Sequence, residues 1–116
     1  MKKIALAFTA ITLILTGCNS TNSAKSTTSF TPYSQNFLCD NGLSPVIRHI
    51  NDSQATITLE NTTTTLDIAV SASGERYVTN TGLFGHGGAW HQKGNMAVFD
   101  YKTMAGNPIS TNCTAE

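Results

Sequence analysis

Three histidines, a run of glycines and a few scattered carboxylates are the residues with which this chain could do chemistry, and their spacing decides what kind. His86 and His91 belong to a glycine-rich stretch, GLFGHGGAWH, while His49 lies far upstream in a segment that reads as a strand. A zinc site needs three or four ligands in fixed geometry, and no carboxylate or thiol is spaced to complete one. The glycines are not followed by the G-K-[ST] of a phosphate-binding loop. Ser73 lies in neither G-x-S-x-G nor S-x-x-K, so no nucleophile motif surrounds it. Asp67 and Asp100 stand alone, without the spacing that suggests a glycosidase pair. The pattern points to no metal, no cofactor and no enzyme.

The cysteines carry chemistry of another kind. Met1-Lys2-Lys3 is followed by an apolar run from Ile4 to Leu15, broken only by Thr9 and Thr12. A basic start and an apolar core too short for a comfortable membrane span describe an export signal. The run ends in Leu15-Thr16-Gly17-Cys18, which resembles the lipobox of bacterial lipoproteins. That resemblance implies cleavage before Cys18, leaving residues 1–17 as signal peptide, and lipidation of the Cys18 thiol. Asn19 rather than Asp follows, so the outer membrane is favoured over the inner one as the site of anchoring. Buried acyl chains add about 0.8 kcal/mol per methylene, which makes such an anchor effectively permanent.

Cleavage there leaves 99 of the 116 residues, with five basic and seven acidic side chains, a net charge of −2. The precursor's 7 Lys+Arg against 7 Asp+Glu already lacks the basic excess of a nucleic-acid binder. Residues 18–35 are dominated by Ser, Thr and Asn and offer too little apolar surface to offset the entropy of ordering. They read as a tether of roughly 20–25 Å r.m.s. span. The folded domain, 36–116, is small enough to need reinforcement. With Cys18 assigned to lipid, Cys39 and Cys113 remain as an even pair in an oxidising compartment, at opposite ends of the domain.

Within the domain the hydrophobic period is two. Ala55, Ile57 and Leu59 alternate with Thr56, Thr58 and Glu60, Leu66, Ile68 and Val70 with Asp67 and Ala69, and Ala97, Phe99 and Tyr101 with Val98, Asp100 and Lys102. Such alternation marks half-buried antiparallel strands, with the many Thr residues on exposed faces. Turn chemistry falls between them at Asp40-Asn41-Gly42, Asn51-Asp52-Ser53, Asn61-Thr62-Thr63, Lys93-Gly94-Asn95 and Ala105-Gly106-Asn107-Pro108. The fold class is all-β, a meander closed into a small barrel or sandwich, with no useful helix.

One segment rises above this background: Ser71-Ala72-Ser73-Gly74-Glu75-Arg76-Tyr77, followed by Trp90-His91-Gln92-Lys93-Gly94. Together with Cys39-Asp40-Asn41-Gly42 and the cysteine near the C-terminus, these resemble the MliC family, membrane-bound inhibitors of C-type lysozyme. The resemblance implies an antiparallel barrel of about eight strands and a loop that enters the lysozyme cleft. It assigns Ser73 and Lys93 to the catalytic carboxylates and carries Gly74, Arg76 and Tyr77 as further lysozyme-binding residues. The partners it implies are a C-type lysozyme and, through the lipid, a membrane. The chain departs from the family pattern in two places. Twelve residues separate Tyr77 from Trp90, which reads as a long loop offering Phe84 or His86 to the partner. W-x-K-G has become W-H-Q-K-G, so Trp90 and Lys93 keep their orientations only if a bulge near His91 absorbs one residue; otherwise Gln92 takes the lysine position. The alternative is a surface lipoprotein, an adhesin or a peptidoglycan-associated module, on the same barrel.

Overall fold

The structure, a computed structural model, describes residues 29–116. The signal segment and Cys18 lie outside the described residues. Eight strands follow one another: β1 (Tyr33–Cys39), β2 (Val46–His49), β3 (Gln54–Leu59), β4 (Thr62–Ala69), β5 (Glu75–Leu83), β6 (His86–Lys93), β7 (Met96–Lys102) and β8 (Pro108–Ala115). Each pairs antiparallel with the next, and β1 meets β8 to close the barrel. The all-β reading and the Cys39–Cys113 bridge are both seen, the bridge joining the first strand to the last. β1 starts three residues before the expected edge of the domain, because Tyr33 to Asn36 already pair with His49 to Val46 of β2.

Alternation fills the interior. Phe37, Ile47, Ala55, Ile57, Leu66, Trp90 and Phe99 are fully or almost fully buried, and Trp90 sits edge-on to Phe37 with ring centroids 4.9 Å apart. Side chains rather than solvent fill a barrel of this strand number.

Two expectations about strand detail are corrected. The Leu66, Ile68, Val70 face holds only at Leu66; Ile68 is 44% and Val70 98% exposed. β4 outruns its neighbour there, since β3 pairing stops at Gln54–Asp67 and the chain has reached the rim. The turn expected at Asn61-Thr62-Thr63 falls at Glu60-Asn61, with Glu60 at φ 54°, while the β-branched Thr62 and Thr63 already pair with Leu59 and Thr58.

The largest correction concerns the stretch from Val78 to Ala89. It is not a long loop but the continuation of the β5–β6 hairpin, closed by a two-residue turn at Phe84-Gly85. Both turn residues have positive φ, 52° and 81°, which matches the right-handed twist of the flanking strands. The extra length is taken up by a register shift on β5 between Thr79 and Leu83. No bulge forms near His91: β6 pairs regularly with β5 from Gly88 to Gln92 and with β7 from Gly88 to Lys93. Gly87 permits this, since a Cβ there would collide with the Thr79 carbonyl oxygen.

Candidate functional site

In an up-and-down barrel alternate connections share an end. The loop 70–74 (β4 to β5) therefore lies at the same rim as the Gly94-Asn95 turn (β6 to β7) and the start of β1. Phe84 lies at the opposite rim, half-buried against Tyr101 at 5.2 Å between ring centroids, so neither it nor the adjacent His86 accompanies Ser73.

Regular pairing settles which way β6 side chains point. Trp90 and Gln92 face the interior, 0% and 7% exposed, while His91 and Lys93 face outward. Gln92 is an interior clasp: its Oε1 accepts from the Trp90 indole N–H at 3.1 Å, and its Nε2 donates to Gln35 Oε1 at 2.7 Å and to the Gly94 carbonyl at 3.1 Å. Lys93 instead emerges beside the loop 70–74. Ser73 and Lys93 line one shallow recess of about 160 Å³ with His91, Met96, Ala97, Val98 and Asn112. Gly74 sets this proximity. It has φ 68°, and a Cβ on it would strike the Gln92 carbonyl oxygen and come within 3.2 Å of the Lys93 Cβ.

The recess presents a hydroxyl, an ammonium and an apolar flank. Ser73 and Lys93 are both exposed. Met96 is 63% and Val98 36% exposed beside them. Among the described residues the one pair within ion-pair distance is His49 with Glu75, at 3.8 Å and charged only when the imidazole is protonated, so the Lys93 ammonium has no carboxylate of its own. Arg76 is exposed on the outer face of β5 opposite His91 and lines a neighbouring groove with Asp100 and Lys102. Among the described residues Arg76 has no carboxylate within ion-pair distance. Tyr77 departs furthest from expectation: it is 2% exposed, inside the barrel, and supports the rim from below.

Below the rim lies a polar network that sequence reasoning missed. Tyr77 donates its hydroxyl hydrogen to Glu75 Oε2 at 3.0 Å and so accepts from His49 Nδ1 at 3.3 Å. His49 is 1% exposed, stacked on Tyr33 at 4.5 Å, and its Nε2 has no partner among the described residues. Burial holds the His49 pKa below the ordinary histidine value, opposed by the charge of Glu75 and by Gln92. Burial, then the bond to Glu75, pushes the Tyr77 phenol well above its usual range. Period-two parity from Trp90 was the available signal for Gln92; nothing local marked His49 and Glu75 as neighbours. Among the described residues no group of three or more His, Cys, Asp or Glu gathers as metal ligands would.

The chain is thus a small disulfide-closed barrel that presents an exposed Ser73 and Lys93 in one recess at one rim. Residues 37–107 match the family model of the membrane-bound lysozyme-inhibitor of c-type lysozyme, MliC, and the chain belongs to that family. No curated protein and no solved structure gives a significant match. Membership implies a lysozyme inhibitor rather than an enzyme, a C-type lysozyme as protein partner, and association with a membrane.

Proposed function

We propose that this chain inhibits C-type lysozyme by inserting the Ser73 loop, with Lys93 beside it, into the catalytic cleft. The observation that carries the reading is the shared recess in which an exposed Ser73 and an unpaired Lys93 meet at one rim. A lysozyme cleft holds one carboxyl kept protonated in an apolar pocket and another kept ionised. A serine hydroxyl can accept from the first or donate to the second. An ammonium adds a charge-assisted hydrogen bond to the ionised partner. Met96 and Val98 supply apolar surface around these polar groups, as an interface needs to exclude water.

Lipidation at Cys18 after removal of residues 1–17, with a short polar tether, would hold the barrel at the outer membrane, where it protects peptidoglycan. Arg76 is a contact residue of the periphery in this reading, and Gly74 acts by setting the loop path.

The test compares Lys93→Ala with Gln92→Ala in the full chain, solubilised in mild detergent, against C-type, g-type and i-type lysozymes in a cell-wall turbidity assay. Lys93→Ala is expected to weaken C-type inhibition by roughly 2–5 kcal/mol, since an ionised carboxylate is left without its partner. Gln92→Ala is expected to lower thermal stability by about 1–3 kcal/mol through the orphaned Trp90 N–H, with inhibition retained below the melting range. Inhibition lost only in Gln92→Ala would overturn the assignment of Lys93. No inhibition of a C-type enzyme at micromolar wild-type chain would overturn the function. A Cys18→Ala chain recovered from the soluble rather than the membrane fraction is the expected sign of the anchor.

A further inference from the structure

We infer that His91 is a positioning residue: its imidazole latches the Ser73 loop onto β6 and so fixes the spacing between Ser73 and Lys93 before any partner arrives. The inference rests on the inhibitor reading above for its purpose, but its geometry is independent of it. His91 sits on the outer face of β6, its backbone held on both sides by pairing to Arg76 of β5 and Val98 of β7. Its Nε2 lies 2.8 Å from the Ser73 carbonyl oxygen and 3.1 Å from Ser71 Oγ. Ser71 Oγ in turn lies 2.6 Å from that same carbonyl oxygen.

The hydrogens in this three-membered cycle can be assigned. A carbonyl oxygen only accepts, so both Ser71 Oγ and His91 Nε2 must donate to it. The single hydroxyl hydrogen of Ser71 is then committed, and its oxygen faces the imidazole as an acceptor. His91 therefore carries its hydrogen on Nε2. The Ser73 carbonyl is pinned from one side by its own loop and from the other by the strand that bears Lys93.

His91 and Lys93 are two residues apart and share the outer face. One strand thus supplies both the latch for Ser73 and the ammonium that acts beside it. Ordering a five-residue loop on binding costs affinity, and a loop already held in its bound shape avoids that cost. Within W-H-Q-K-G the histidine is the residue that does the holding.

The test uses the full chain in detergent. His91→Ala is expected to weaken inhibition of a C-type lysozyme about five- to tenfold, the loss of one hydrogen bond's worth of ordering. His91→Gln, whose amide N–H can take the place of Nε2–H, is expected to recover most of it at equal thermal stability. Long-range proton–nitrogen spectra of the free wild-type chain, at a pH where the ring is neutral, are expected to show the Nε2–H tautomer. An Nδ1–H tautomer overturns the latch. His91→Ala inhibiting as well as wild type, or His91→Gln as poorly as His91→Ala, overturns the positioning role. If the wild-type chain inhibits no lysozyme the functional reading falls, and the tautomer alone then decides whether the latch exists.

Discussion

At the scale of single residues, the rim depends on one glycine and one buried histidine. Gly74 is left-handed in φ, and a Cβ on it would strike the Gln92 carbonyl oxygen and crowd the Lys93 Cβ. A methyl there must push the loop off β6, and Lys93 and Ser73 would separate. Gly74→Ala is expected to weaken inhibition at least tenfold while the melting temperature falls by only a few degrees, because the loop contributes little to the core. Equal inhibition by the two proteins would show that the loop path is not set by this contact. His49 governs a different property. Its pKa is lower in the folded protein than in the unfolded chain, mainly because it is buried, with Tyr33, Glu75, Tyr77 and Gln92 around it. Below the ordinary histidine pKa the unfolded chain therefore binds more protons, so stability is present at neutral pH and is lost as pH falls through the folded value. The melting temperature is expected to drop as the pH falls below about 6.5, and His49→Phe, which keeps a ring against Tyr33, to flatten that drop. Parallel pH profiles for the two proteins would exclude His49 as the source.

At the scale of elements, the β5–β6 hairpin shows what the sequence disclosed and what it hid. The strands with strict alternation, β3 and β7, were legible because every inward residue is apolar and every turn between them carries Asn, Gly or Ser. Residues 78–89 were not, because glycines at strand positions remove the side chains that would have marked a period. Those glycines were needed for backbone approach, as at Gly87, and so a strand pair took the appearance of a loop. Ser73 and Lys93 of the motif line one recess, while Tyr77 of the same motif lies inside the barrel, paired with Trp90 across the ladder. The far turn allows a direct check. Phe84 at φ 52° occupies a position that Asn accepts more readily, yet its ring packs against Tyr101. Phe84→Asn exchanges backbone relief for lost packing at the rim remote from Ser73. Inhibition is expected to stay within about twofold of wild type, a change in free energy below the size of one hydrogen bond. A larger loss would mean that the partner reaches both ends of the barrel.

At the scale of the whole molecule, closure rests on a short seam and the disulfide is placed on it. β1 divides its pairing: Tyr33 to Asn36 bond with β2, and only Phe37, Leu38 and Cys39 pair with β8. Three residue pairs make a short seam, matched by the three between β4 and β5, where β7 and β8 pair over seven. The bridge falls on the last of the three, Cys39 opposite Cys113, and closes a loop with a sequence separation of 74. In the chain-entropy model that constraint on the unfolded state is worth roughly 4 kcal/mol. For a domain of this size such a loss lowers the melting temperature by roughly 15–30 °C. Cys39→Ala with Cys113→Ala is therefore expected to melt far earlier and to lose amide-exchange protection first along the seam, at Cys39 and Thr114 positions, before the β3–β4 and β6–β7 ladders. The recess is lined by the Ser73 loop, β6 and β7, and of its lining only Asn112 lies on the seam strand β8. Inhibition per folded molecule should then survive removal of the disulfide at low temperature. If inhibition disappears while the β6–β7 ladder remains protected, the closed shape of the barrel, and not only the local latch and recess, is what presents Ser73 and Lys93.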